Sequence, residues 1–369
     1  MAEENAGLKG VVVGSSALSD VEEQGSLIYR GYDIRDLAEH ATYEEVAHLL
    51  LKGKLPSQKE LYAFNRELGM RRSLPKELVK AMELFRRRAH PMDMLRTSVS
   101  LLGCVEKNNT DTLTKAIDIL AKMPALIANN WRLTHGKSYV APTRSNGQAW
   151  NFLYMLKDER PDEDAVKLLD TTLILYAEHG FNASTFAARV TASTLSDIHA
   201  AITTGIGTLK GPLHGGANEK AMAMLKDIGS VEKAEGYVLK KLAEHEKIMG
   251  FGHREYKSGD PRAKLLKELG RKLTDGTPNE KWYRIAEKVE EVMMREKQLF
   301  PNVDFPCGYV YYALGIPIEL YTPLFAMSRV AGWSAHILEQ LENNTLIRPR
   351  SEYSGPRGLK YVAIAERKG

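Results

Sequence analysis

The sequence predicts an almost entirely α-helical fold with a small β element near the N-terminus. Apolar residues recur three or four positions apart along most of the chain, as over residues 162–178. This spacing is the period of one face of a helix. Strand signals are confined mostly to the first thirty residues, and no alternation of strands and helices follows them. A parallel sheet is therefore not expected.

The elements follow in chain order. Apolar runs at 11–13 and 27–29 predict two strands. Thr42 with Glu45 and Ser57 with Glu60 have the spacing of a capping box, so each pair should open a helix. Further helices are predicted at 75–88, 92–105, 111–130, 162–178, 183–207, 217–227, 231–248, 262–273, 281–299 and 321–342.

Residues 181–211 are dense in alanine, glycine, serine and threonine. Small side chains let helices approach one another closely, which favours a buried pair of central helices in this stretch. A subunit interface is the alternative, because such faces pack equally well across a two-fold axis.

Length and composition limit the class of protein. The 369 residues predict one large domain and a smaller one, and the mild net charge of +4 argues against nucleic-acid binding. Arg86, Arg87 and Arg88 are interpreted as a solvated helix end. We expect no membrane helix and no signal peptide. Two cysteines without metal or disulfide spacing predict a cytoplasmic protein.

Three short islands combine a histidine or an aspartate with glycine or proline. They are GPLHGG at 211–216, GFGHREYKSGDPR at 250–262 and PNVDFPCG at 301–308. Glycine lets the backbone approach a ligand, and such loops often carry function. Two imidazoles, a carboxylate and arginines can move a proton beside a carbonyl group on an anionic substrate.

The two histidine islands suggest distinct roles. His214 precedes a predicted helix, whose N-terminal partial positive charge disfavours imidazolium. A neutral imidazole can donate a hydrogen bond to a developing oxyanion. His253 follows Gly250 and Gly252, and Arg262 has the planar fork that binds a carboxylate. The alternatives are a capping histidine for His214 and a surface loop for the second island.

Four other residues each have a structural alternative. Asp304 could be a helix N-cap, and His179 could cap a helix C-terminus. Arg329 lies in an apolar helical stretch and needs a partner or a ligand. Arg348 could belong to a solvated basic tail. The coincidence of three islands with these arginines favours a functional site.

At this point the chain resembles citrate synthases of the shorter bacterial and archaeal type, essentially from end to end. The matching segments are LIYRGYD at 27–33, HPMDMLRT at 90–97, GPLHGGANE at 211–219, GFGHREYKSGDPRA at 250–263, NVDF at 302–305, and the tail from TPLFAMSRVAGW to LIRPRSEYSGP. The resemblance implies a cytoplasmic homodimer of the tricarboxylic acid cycle. Such an enzyme would use acetyl-CoA as a co-substrate, and the resemblance implies no other cofactor.

The resemblance also implies the roles of the catalytic residues. Asp304 would remove a methyl proton from acetyl-CoA, and His214 would stabilise the enol or enolate through the thioester oxygen. His253 would polarise the ketone of oxaloacetate as the carbon–carbon bond forms. Hydrolysis of citryl-CoA would then release citrate and CoA.

Binding roles follow from the same resemblance. The oxaloacetate carboxylates would be bound by four residues, the last of which comes from the partner subunit: His179, Arg262, Arg329 and Arg348. Gly250 and Gly252 would lie against the CoA adenine, and Lys257 would contact a phosphate. The small domain, 216–322, would close over a large domain formed by 1–215 and 323–369 and so exclude water.

Two departures from the family pattern leave the catalytic groups in place. Glu255 stands where valine or isoleucine is usual, and Pro306-Cys307 stand where Tyr-Ser is usual. They bear on thioester preference and on affinity for CoA.

Two alternatives to a citrate synthase stay open. A 2-methylcitrate synthase, or a dual-specificity enzyme, would use propionyl-CoA through the same residues, because a methylene changes discrimination by only ~1–3 kcal/mol. A non-catalytic helical scaffold is disfavoured by the presence of all three catalytic residues. The sequence holds no HExxH, CxxC, P-loop or GxSxG motif, so no metal site is expected.

Overall fold

The computed structural model describes residues 6–8, 10–22, 24–85, 88–105, 110–253 and 255–367. Arg86 and Arg87 of the basic run lie outside this part of the chain. Within it, sixteen α-helices surround one small antiparallel sheet, which confirms the predicted fold class. No helix of the described residues is long and apolar enough to span a membrane.

The sheet has three strands in the order β1-β2-β3, namely Ser19–Glu22, Ser26–Tyr29 and Tyr32–Asp33. Leu27 and Tyr29 of β2 point into the core, and the predicted strand at 27–29 is confirmed. The predicted strand at 11–13 is wrong. Val12 is 89% exposed, and this apolar run pairs with no strand in the described residues.

The first ten helices are α1 Ile34–His40, α2 Tyr43–Lys52, α3 Gln58–Arg71, α4 Lys76–Met82, α5 Pro91–Val105, α6 Thr112–Thr134, α7 Gln148–Lys157, α8 Glu163–Tyr176, α9 Ala183–Ser193 and α10 Ile198–Leu209. The last six are α11 Ala217–Ile228, α12 Val231–Ala243, α13 Pro261–Thr274, α14 Glu280–Lys297, α15 Asp304–Ala313 and α16 Tyr321–Glu342. Both predicted capping boxes are present, at the starts of α2 and α3.

The stretch predicted as one helix over 183–207 is in fact two helices. Leu195 adopts a left-handed φ of 63°, and Asp197 caps the start of α10 by accepting a hydrogen bond from the Ala200 amide. α9 and α10 pack against each other, as expected for the small-residue pair. The predicted helices do not include α1, α7 or α15.

Helix α16 forms the centre of the larger helix cluster. It is buried along most of its length and contacts α2, α5, α6, α8, α9 and α10. Helices α11 to α15 pack chiefly on one another. The two clusters meet where the Thr322 amide, at the start of α16, donates to Glu219 of α11. The division into domains at 216 and 322 stays a prediction.

Candidate active site

Asp304 is the first residue of α15, and the N-cap position is Val303. The aspartate therefore does not serve as the helix cap. Its Oδ1 accepts a hydrogen bond of 2.7 Å from the phenol of Tyr176, at the end of α8. Burial raises the pKa of Asp304 to about 6, against the lowering effects of the Tyr176 hydrogen bond and of Arg262. A carboxylate with such a pKa is a stronger base than one in water and is still ionised at neutral pH.

The glycine island at 250–252 is fixed against the segment before Asp304. The Gly252 amide donates to the Phe300 carbonyl, and the Asn302 amide donates to the Gly250 carbonyl, both at 2.9 Å. Gly250 has a φ of +82°, and an added Cβ would lie 2.7 Å from the Cβ of Phe305. Glycine is therefore required at 250, and the loop that leads to His253 is held next to the start of α15.

His253 is oriented by its own loop. Its Nδ1 accepts hydrogen bonds of 3.1 Å from the amides of Glu255 and Tyr256, so the proton of the neutral ring is on Nε2. Burial, and then Arg262, lower the pKa of His253 to about 4. The ring is therefore a neutral hydrogen-bond donor at physiological pH.

His179 lies beside His253, with their ring centroids 5.1 Å apart. Its Nε2 is 3.0 Å from the hydroxyl of Tyr256. Burial, followed by the charges of Arg262 and His253, lowers the pKa of His179 well below its usual value. The structure thus groups two neutral imidazoles around one tyrosine.

Arg262 is buried at the start of α13 and forms a two-pronged ion pair with Asp260, at 2.9 and 2.8 Å. Asp260 is the N-cap of this helix and also accepts from the Val303 amide at 3.0 Å. Burial lowers the pKa of Arg262, but Asp260 outweighs it and raises the pKa. Asp260 therefore ties the arginine to the start of α15.

His214 lies in the turn before α11, as predicted. Its Nε2 is 3.3 Å from the Ser184 amide and 2.8 Å from the Ser184 hydroxyl. An Nε2 that accepts from this amide leaves the ring proton on Nδ1. The pKa of His214 is lowered to about 4 by burial and then by Arg329. Burial and the charge of Arg329 therefore favour the neutral ring.

Arg329 is buried within α16, and its Nε donates to the Tyr176 carbonyl at 2.7 Å. Its guanidinium lies 4.9 Å from the ring centroid of Phe325. From the sequence, this buried charge was expected to have a partner, and Glu178 is one such partner. Burial lowers the pKa of Arg329, and the nearby Glu178 carboxylate opposes that effect.

Glu178 belongs to a buried polar network next to His179. It accepts hydrogen bonds from Ser19 at 2.9 Å and from His336 at 2.8 Å. Arg189 contacts the other nitrogen of His336 at 3.0 Å and pairs with Glu339 at 2.7 Å. Although burial raises the pKa of Glu178, His336 and Arg329 outweigh it and lower the pKa.

Two predicted binding residues are exposed. Lys257 lies on the loop after His253, and Arg348 lies in the extended C-terminal segment. The Ile347 amide donates to Ser193, at the last residue of α9, whereas Ser184 at the other end of α9 contacts His214. Nine residues of helix span about 13 Å, so the backbone next to Arg348 is bonded about that far along α9 from the residue that contacts His214.

The structure brings together six of the predicted residues, which are His179, His214, His253, Arg262, Asp304 and Arg329. Sequence reasoning missed the roles of Tyr176, Ser184, Tyr256 and Asp260. Tyr256 and Asp260 lie inside the second island and could have been noticed there. Tyr176 and Ser184 flank His179 in sequence but carry no local motif.

The arrangement suits proton abstraction from a weak carbon acid. Asp304 supplies a carboxylate with a pKa near neutrality, and neutral His214 and His253 supply donors for developing negative charge. Arg262 and Arg329 supply buried positive charge for an anionic substrate.

Comparison with known proteins agrees with this chemistry. The family model "Citrate synthase, C-terminal domain" matches residues 7–350. The chain is 48% identical over 368 residues to "Citrate synthase 2" of Bacillus subtilis, with 98% of each chain covered. It is 44% identical over 366 residues to a 2-methylcitrate synthase of Shewanella oneidensis, again with 98% of each covered.

Solved structures show the same fold. Citrate synthase from Thermoplasma acidophilum, in a ternary complex with carboxymethyl coenzyme A and oxaloacetate, has a TM-score of 0.94 at 35% identity, with 98% and 99% of the two chains covered. Citrate synthase from Thermotoga maritima has a TM-score of 0.91 at 41% identity, with 99% of each chain covered. The chain therefore belongs to the citrate synthase family of acyltransferases.

Proposed function

We propose that the protein condenses acetyl-CoA with oxaloacetate and water to give citrate and CoA, with Asp304 as the general base. The observation that carries this proposal is the Asp304 carboxylate, whose pKa of about 6 lies near neutrality in a site with two neutral histidines and two buried arginines. A carboxylate can deprotonate a thioester only if the enolate is stabilised as it forms.

The steps follow from the geometry. Asp304 takes a methyl proton from the thioester while the Nδ1–H of His214 hydrogen-bonds the thioester oxygen. The Nε2–H of His253 polarises the ketone of oxaloacetate, and the enol or enolate attacks the ketone carbon. Water then cleaves citryl-CoA to citrate and CoA. Alignment of the two substrates can supply about 7–11 kcal/mol of the barrier at the upper end.

In this proposal the oxaloacetate carboxylates are bound by His179, Arg262 and Arg329, together with the partner subunit's Arg348. The exposure of Arg348 and of the tail around it supports this arrangement. Six large apolar side chains of the tail are exposed in the single chain, namely Leu346, Tyr353, Leu359, Tyr361, Val362 and Ile364. A second copy of the chain would bury them, and it would complete both active sites of a homodimer.

The CoA side of the site is proposed at the loop that carries Gly250 and Gly252. Both residues have positive φ angles, and the loop backbone is fixed by its bonds to residues 300–302. Lys257 is exposed on the same island and would contact a phosphate. The reaction needs no cofactor beyond its co-substrate, and we place it in the cytoplasm as part of the tricarboxylic acid cycle.

Release of the CoA thiol by the purified protein tests the proposal. Oxaloacetate is supplied with acetyl-CoA or with propionyl-CoA, and kcat/KM is compared. We expect a higher kcat/KM with acetyl-CoA. A higher value with propionyl-CoA would favour the second candidate, 2-methylcitrate synthase, which a 44% identical relative supports. No release with either thioester would overturn both and leave the scaffold alternative.

A further inference from the structure

The Tyr176 phenol is the one hydroxyl of the described residues that donates to the Asp304 carboxylate. The bond is 2.7 Å long, and the tyrosine is completely buried. A hydroxyl forms a stronger hydrogen bond to an ionised carboxylate oxygen than to a protonated carboxyl group. The contact therefore favours the ionised form of the aspartate.

The position of Tyr176 is itself fixed from two sides. Its carbonyl accepts from the Nε of Arg329 at 2.7 Å, and its ring lies 4.4 Å from that of Phe325. Phe325 also faces His214, with the ring centroids 6.2 Å apart. Tyr176 thus contacts the proposed base Asp304, the buried Arg329, and Phe325, whose ring faces His214.

We propose that Tyr176 is a positioning residue that holds Oδ1 of Asp304, keeps the buried carboxylate ionised and leaves Oδ2 to take the substrate proton. The proposal rests on the proposed role of Asp304 as the general base. A carboxylate with one oxygen fixed has a defined direction for its second oxygen, and a proton transfer depends on that direction.

The charge balance around Asp304 explains why the phenol matters. The groups that act on the carboxyl are Tyr176 of α8, Arg262 and Asp260 at the start of α13, and Arg329 of α16. The nearby thiol and phenol of α15 are those of Cys307 and Tyr311. Burial and Asp260 raise the pKa of Asp304, while the Tyr176 bond and the two arginines lower it. Loss of the phenol removes one of three stabilising contacts, so the pKa should rise.

The test is Tyr176→Phe, with Tyr43→Phe as the matched control. Tyr43 is also completely buried and its hydroxyl donates to the Ser328 carbonyl at 2.7 Å, so both variants lose one buried hydroxyl. For Tyr176→Phe we expect kcat to fall about tenfold and the acidic limb of the pH–rate profile to move up by roughly one pH unit, because a hydrogen bond to a charged group is lost. The KM for oxaloacetate should change little.

A kinetic isotope effect provides the second readout. With acetyl-CoA deuterated in the methyl group, the effect on kcat should be larger for Tyr176→Phe than for the wild type, because proton abstraction has become slower. Tyr43→Phe should leave both the acidic limb of the pH–rate profile and the isotope effect unchanged. If the Tyr176→Phe protein is folded and the acidic limb of its pH–rate profile stays at the wild-type position, the inference is overturned.

Asp304→Ala is measured in parallel so that the two proposals can fail separately. If Asp304→Ala turns over normally, the proposed base is wrong and the inference falls with it. If Asp304→Ala is inactive while Tyr176→Phe keeps the wild-type profile, only the positioning role of Tyr176 is wrong.

Discussion

At the residue scale, neutral histidines beside an ionised aspartate define the site. The sequence predicted the residue types, and for His214 it predicted the neutral form. It could not predict the cause, because burial and the charge of Arg329 arise only when distant helices pack. Tyr256 and Asp260 lie inside the second island, but their contacts could not be predicted, since their partners His179 and Val303 lie 77 and 43 positions away.

The pH dependence of activity follows from these pKa values. The pKa of Asp304 is raised to about 6, and its carboxylate is the required form, so kcat/KM for the thioester should rise with pH through about 6 and then level off. His214 and His253, with pKa values lowered to about 4, should not titrate in this range. A decrease in kcat/KM as the pH rises from 6 to 7 would mean that a protonated histidine is needed.

At the element scale, the regular helices were predicted well and the interruptions were not. The helices with clear apolar spacing or capping boxes appear near their predicted bounds, as with α8 and α14. The break between α9 and α10 was missed because Leu195 is not a residue that signals a left-handed turn. Helix α15 was missed because its first residues lie in the island at 301–308, which was interpreted by its prolines and glycine and not as a helix. Proline fits the first helical turn, where the backbone amides have no partner within the helix.

The buried network around Glu178 joins four elements, and it should contribute strongly to stability. His336 of α16 links Glu178, after α8, to Arg189 of α9, and Ser19 of β1 also donates to the glutamate. His336→Ala would leave Glu178 buried with fewer partners. We expect a loss of about 3–5 kcal/mol in the free energy of unfolding, measured by denaturant titration.

A double variant separates the lost charge pairing from the lost packing. Glu178→Gln added to His336→Ala removes the buried charge and should recover part of the stability. If His336→Ala costs less than about 1 kcal/mol, in the range of an exposed pair, the network does not stabilise the fold.

At the scale of the whole molecule, the fold class could be predicted from the sequence, whereas the homodimer is a proposal. One chain brings six of the predicted residues together and leaves Arg348 exposed on the tail. No sequence pattern could show where the tail lies on its own chain, because this depends on the hydrogen bond of the Ile347 amide to Ser193.

Hybrid dimers test whether the partner subunit's Arg348 completes the site. Asp304→Ala and Arg348→Ala chains, each with low activity, are mixed and allowed to exchange subunits. Half of the dimers should be hybrids with one intact site, so activity should return to about a quarter of the wild type if the dimer has a two-fold axis. No recovery from a mixture that is shown to contain hybrids would place Arg348 outside the partner's site.

The central claim is that Asp304 removes the proton that starts the condensation. The most direct test is CoA-thiol release by Asp304→Ala with saturating oxaloacetate and acetyl-CoA, compared with the wild type. We expect kcat to fall by about a hundredfold or more, in line with the contribution of a general base, while oxaloacetate still binds. Turnover close to the wild-type rate would contradict the account.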